Sequence, residues 1–210
     1  MASAHPVSDL ADTAAACADR LQEADSVLLA SHIDADGLTS AAIAATALER
    51  AGISFETVFS KQLDAAELES IAATDHDTVL FTDFGSGQLD LIAGHEATGD
   101  FTPVIADHHQ PADASTEYHL NPLLVGINGA SELSGAGASY VLARALASTA
   151  QQSVDNRDLA ALAVVGAVGD MQAGVDGLSG ANTEIVDEGV EAGVIEESTD
   201  LTLYGKQTRP

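Results

Sequence analysis

Histidine and aspartate gather at three places along the chain: His32-Ile33-Asp34-Ala35-Asp36, the lone Asp83, and Asp107-His108-His109. Carboxylates brought that close repel one another and raise each other's pKa unless divalent cations neutralise them, so bound metal is the economical reading. The alternative is a set of solvated loop and cap residues, with Asp36 as N-cap of a helix that begins near Leu38. If the chain is extended through the first cluster, positions 32, 34 and 36 project to the same side and present an imidazole with two carboxylates. Asp170 is a fourth candidate, because an acid at the negative end of a helix calls for a compensating cation or for solvent. No thiolate accompanies these groups. The mixture points to Mn, Mg, Fe or Co rather than structural zinc, and the imidazoles favour Mn²⁺ over Mg²⁺. Two such ions about 3.5–4 Å apart activate water and stabilise phosphoryl charge, so hydrolysis of a phosphate ester or anhydride is the predicted chemistry.

These residues need elements that carry them to one place. Residues 8–24 read as an Ala-rich amphipathic helix, and apolar runs at Val27–Ala30, Phe55–Phe59, Val79–Phe81 and Val104–Ala106 have the length of buried strands. Helical stretches at Leu38–Arg50, 64–73 and 86–96 separate them. Such alternation predicts a parallel sheet covered by helices on both faces. The three clusters then follow directly on strands, at the carboxyl edge where loops of open α/β sheets converge. Beyond Ser134 the pattern turns helical, at about 135–150, 155–169 and 182–193. Leu203–Pro210 reads as a connection rather than a closing helix or strand.

Composition narrows the setting. The chain has 210 residues, 33 acidic against 7 basic, for a formal net charge of -26, while 46% of its residues are hydrophobic. An intact hydrophobic pattern under such a charge predicts a folded protein of a halophile, in whose salt the acidic surface barely repels a polyanionic substrate. No apolar run is long enough for a membrane helix and the amino terminus lacks a secretory pattern, which predicts a cytoplasmic location and no membrane partner. Cys17, the only cysteine, is expected to be a small buried residue. His119 and Asn121 read as structural, and His5, His76 and His95 as surface residues.

Taken in order, His32–Gly37, the Asp of Phe81-Thr82-Asp83-Phe84-Gly85-Ser86-Gly87, Ala106–Gln110 and the Gly-x-x-Gly-Asp of Gly166–Asp170 resemble the four motifs of the DHH phosphoesterases, across roughly residues 25–172. Ser134-Gly135-Ala136-Gly137 and Leu203–Pro210 are most similar to the RecJ-like archaeal branch. The resemblance implies a five-stranded parallel sheet with helices on both faces, followed by a helical C-terminal part. Residues 1–200 would form the phosphoesterase domain and 201–210 the start of a connection to a further domain that closes over the substrate. It also implies that His32 and Asp34 hold one metal, Asp36, His108 and Asp170 the other, and that Asp83 bridges them. His109 would face the scissile phosphate and Asp107 would orient its neighbours. Gly135 and Gly137 open a predicted helix, where their amides would meet a phosphate or, equally, let helices pack closely. The implied activity is that of a Mn-dependent exonuclease on single-stranded DNA or RNA. Alternatives are hydrolysis of a small substrate (a short oligonucleotide, cyclic dinucleotide, nucleotide 3′-phosphate or pyrophosphate) and a non-catalytic replication-associated scaffold; replication factors are expected partners.

Overall fold

Alternate apolar positions in short strands define the two faces of a central sheet. In β1 (Val27–His32), Val27 and Leu29 face one way while Leu28 and Ala30 face the other. Leu80 of β3 (Thr78–Thr82) and Val104 of β4 (Thr102–Ala106) join the first face, and Val79, Phe81 and Ile105 join the second. Period-two alternation with both sides apolar is what a strand buried on two faces requires. The computed structural model describes residues 6–149, 155–175, 177–196, 201–203 and 206–208.

On the first face lie α1 (Ala11–Glu23), α2 (Ala35–Ala51) and α5 (Gly135–Thr149); on the second lie α3 (Ala65–Ala72) and α4 (Leu89–Thr98). The helical C-terminal part, α6 (Ala160–Gly169) and α7 (Ala181–Glu191), forms a further layer, in which α6 packs against α2 and α5 and α7 against α6. Cys17 of α1 is fully buried and its thiol is pushed up to about 12 by that burial. No described helix is long and apolar enough to cross a membrane.

With β2 (Phe55–Ser60) and β5 (Tyr118–Leu120), the sheet has five parallel strands in the order β2-β1-β3-β4-β5. The chain leaves β1 toward one edge and returns to build the rest of the sheet on the other side. The crevice beyond the carboxyl ends of β1 and β3 is therefore the topological switch point, where ligands bind in open α/β sheets. β5 is only three residues long and gives no hydrophobic run by which the sequence could announce it. At 201–210, where the sequence predicts a connection without strands, β6 (Leu201–Leu203) and β7 (Lys206–Thr208) pair antiparallel.

Candidate metal centre

β1 and β3 end side by side, with Ser31 paired to Thr82, and each delivers one acidic or imidazole group to the crevice. After His32 the chain does not stay extended. Asp34, not Asp36, is the N-cap: its Oδ1 accepts the Gly37 amide at 2.9 Å, and α2 starts at Ala35 rather than near Leu38. Residues 32, 34 and 36 therefore do not share one side of an extended strand, because capping turns the chain into a helix before Asp36. The other Asp34 oxygen, Oδ2, stays 3.0 Å from His32 Nδ1. Asp36, in the first turn of α2, is buried and faces α5, where its oxygens accept the Gly135 amide at 2.7 Å and the Ala136 amide at 2.9 Å.

Asp83 sits between the two groups. Its backbone is left-handed, with φ 59°, which aspartate tolerates better than most residues and which marks a position held by its surroundings. Oδ2 lies 3.7 Å from His32 Nδ1 and Oδ1 lies 3.2 Å from His108 Nε2. His108 Nε2 is also 3.7 Å from Asp36 and 3.8 Å from Asp170, which caps the end of α6. Donor atoms thus gather in two sets, each with its atoms within 4.8 Å of one another: His32, Asp34 and Asp83 in one, and Asp36, His108 and Asp170 in the other. A third set overlaps them with Asp83, Asp107, His108 and His109.

Burial makes this arrangement costly without a cation. It pushes the Asp83 carboxyl up to about 8, with His108 opposing the rise and Asp36 adding to it. Asp36 is also raised by burial, against the pull of the Ala136 amide and His108. His108 is driven to about 10 although its own burial works the other way, because Asp83 and the Gly129 carbonyl favour the imidazolium. Both Asp83 oxygens and His108 Nε2 are buried without a hydrogen bond. Buried polar atoms without partners are rare and call for a ligand. Carboxylates and a neutral imidazole nitrogen are donors that a divalent cation takes, so the residues fit a metal.

Asp107 and His109 form a second unit beside these. Asp107 is fully buried; burial alone would raise its pKa, but the His109 ring and the Ser86 amide hold it well below the usual carboxylate range. Its Oδ1 is 2.8 Å from His109 Nδ1 and its Oδ2 accepts the Ser86 amide at 2.9 Å. That contact in turn raises His109, whose side chain is 54% exposed. His109 borders a cleft of ≈ 640 Å³ that His32, Asp83, Phe84 and Lys61 also line.

Gly135 and Gly137 are not available to a phosphate. Both are buried, and their amides are engaged by Asp36 and by Ser134 Oγ. Their smallness serves close approach instead: a Cβ on Gly135 would lie 2.4 Å from Asp83 Oδ1. His119 and Asn121 are buried and meet at Ser86 Oγ, at 2.8 and 2.9 Å. His95 is partly buried against Phe101 and 2.8 Å from Asp100, His76 is half-buried, and His5 lies outside the described residues. The sequence singled out neither Ser86 nor Gly129, whose contributions to Asp107 and His108 are a backbone amide and a carbonyl that any residue could offer.

Residues 26–167 match the family described as DHH family, N-terminal domain. The uncharacterized protein MJ0831 of Methanocaldococcus jannaschii is 32% identical over 178 residues, covering 81% of this chain and 38% of that protein. The fold is similar to that of RecJ in complex with Mn²⁺ from Thermus thermophilus, with a TM-score of 0.68 and 24% identity over 89% of this chain and 27% of that one. It is also similar to exonuclease RecJ bound to manganese, with a TM-score of 0.69 and 23% identity over 87% and 47% of the two chains. The chain spans less than half the length of each of these relatives. With its switch-point cluster of aspartates and histidines and this match over most of its length, the chain belongs to the DHH family.

Proposed function

We propose that the protein is a phosphoesterase that depends on two divalent ions, manganese in preference to magnesium. His32 and Asp34 would hold one, Asp36, His108 and Asp170 the other, with Asp83 between them. The observation that carries this reading is the Asp83 carboxylate, buried with both oxygens unpartnered and flanked on its two sides by His32 and His108. When bound, the ions activate a water and stabilise charge on the phosphoryl oxygens.

The remaining work falls to side chains. Asp107 engages His109 Nδ1, so the other ring nitrogen, Nε2, is the one left for substrate. A histidine raised by its carboxylate partner holds its proton more firmly than a free imidazole, and from this place it can pass that proton to the leaving oxygen. The cleft is of the size that takes a nucleotide-scale ligand.

The substrate we favour is single-stranded DNA or RNA, cut from an end, and the likeness to RecJ supports this reading. A small nucleotide or pyrophosphate is the second reading, favoured by the cleft itself: among the described residues Lys61 is the one Lys or Arg and Phe84 the one phenyl ring lining it, whereas strand-binding grooves are rich in both. Incubation with Mn²⁺ in molar KCl, comparing labelled single-stranded DNA, single-stranded RNA, a dinucleotide and pyrophosphate, separates the two. Stepwise release of mononucleotides supports the exonuclease, and turnover of the dinucleotide or pyrophosphate alone supports the small substrate. No hydrolysis of any of the four, with no Mn²⁺ uptake by calorimetry, overturns both.

A further inference from the structure

The chain just after α6 contains a side chain that donates two hydrogen bonds into one half of the metal centre and is held from behind by a third. Gln172 is buried. Its Nε2 donates to the Gly129 carbonyl at 2.8 Å and to Asp170 Oδ2 at 2.9 Å, and its Oε1 accepts from Asn182 Nδ2 at 2.7 Å. The orientation of this amide is fixed, since a flip would turn its oxygen onto a carbonyl and a carboxylate and its nitrogen onto a donor. The same Gly129 carbonyl lies 2.7 Å from His108 Nδ1. To donate there, Nδ1 must carry a proton, so in the neutral ring that binds a metal it is Nε2 that turns its lone pair toward the centre.

The backbone has been bent to allow this. Met171, between Asp170 and Gln172, is left-handed at φ 59° and 88% exposed. A non-glycine residue is held in that region only where its surroundings over-determine it, and here the bend brings two side chains two residues apart into contact. Asn182, near the start of α7, is buried and its backbone N–H donates to the Glu132 carbonyl at 2.7 Å, so the last link is held at the start of a helix.

We propose that Gln172 is a positioning residue that aligns Asp170 and His108 as a pair, and so sets the affinity of one of the two ion sites while leaving the other unchanged. The proposal rests on the two-ion reading above. Its selectivity follows from connectivity, because none of the hydrogen bonds of Gln172 reaches His32 or Asp34. Groups that orient metal ligands contribute ten- to a hundredfold to affinity.

Calorimetric titration of Mn²⁺ into the metal-free protein tests it. Wild type is expected to take up two ions. Gln172→Leu and the near-isosteric Gln172→Glu should each retain one uptake event at wild-type affinity and weaken the other ten- to a hundredfold, and Asp34→Asn should weaken the event that they spare. Hydrolysis by the Gln172 variants should require correspondingly more Mn²⁺ and recover its kcat at saturation, which a merely structural defect would not do. Metal-free melting temperatures report the fold, and should Gln172→Leu melt early, Gln172→Glu carries the test. Two wild-type uptake events in both variants, or a loss that falls on the event Asp34→Asn removes, overturns the proposal. Two ions bound by wild type without hydrolysis of any substrate would overturn the phosphoesterase reading instead, with the affinities still deciding the role of Gln172. No uptake by wild type overturns both.

Discussion

Asp83 and His108 titrate far from their ordinary values, and both displacements have the same sign for stability. Unfolded, Asp83 loses its proton near 3.8, but folded and metal-free it keeps it to about 8; His108 moves from 6.5 to about 10. Within each window the folded state binds the extra proton, so stability falls as pH rises. The metal-free protein should therefore lose melting temperature as pH rises, through the Asp83 window from 3.8 to about 8 and the His108 window from 6.5 to about 10. Mn²⁺ needs the deprotonated ligands, so its apparent affinity should rise over the same range and reverse the slope. Melting curves with and without Mn²⁺ check this, and a metal-free curve that rises with pH would contradict it. Asp83→Asn removes the buried carboxylate: hydrolysis should drop to background, while metal-free melting at pH 8 should be no lower than wild type. Near-normal turnover with two bound ions would show that Asp83 does not lie between them.

Among the elements, the crossing of α2, α5 and α6 decides whether the ligands meet. Two close approaches there are made possible by a missing side chain. A Cβ on Gly166 of α6 would lie 2.3 Å from Ala136 Cβ and 2.5 Å from Asp36 Oδ1, and one on Gly135 would strike Asp83. Gly166→Ala is expected to destabilise by about 1–3 kcal/mol, as overpacked cores do, read from the denaturant midpoint. Gly135→Ala should keep its helical circular dichroism yet weaken Mn²⁺ uptake measured by calorimetry, since its methyl must displace a ligand. The ends of β1, β3 and β4 were legible in the sequence because buried strands write continuous apolar runs. The start of α2 was not, because Asp34 and Asp36 are chemically equivalent as caps and only the Gly37 amide chooses between them.

At the scale of the molecule, charge dominates. Arg20, Arg50 and Arg157 are paired with Asp77, Asp158 and Asp155, and such surface pairs contribute only about 0–1 kcal/mol each. Seven basic residues cannot balance 33 acids, and the surplus repels itself. Raising KCl from 0.1 M to 1 M shortens the screening length from about 10 Å to about 3 Å. The urea midpoint should rise markedly over that range, and a flat response would argue against adaptation to high salt.

The sequence by itself determined which groups are available and that three of the four clusters stand at strand ends, since alternation, run length and residue type are local properties. Only the tertiary structure decided what each group does with its partners. Asp36 meets the Gly135 amide across 99 residues, which decided between the two readings of that turn, phosphate binding and close packing, in favour of a packed carboxylate clamp. Gln172 acquired its place only when Gly129, Asp170 and Asn182 converged on it. Contacts made through space by backbone atoms leave no mark in residue type, and at this site they hold the ligands in place.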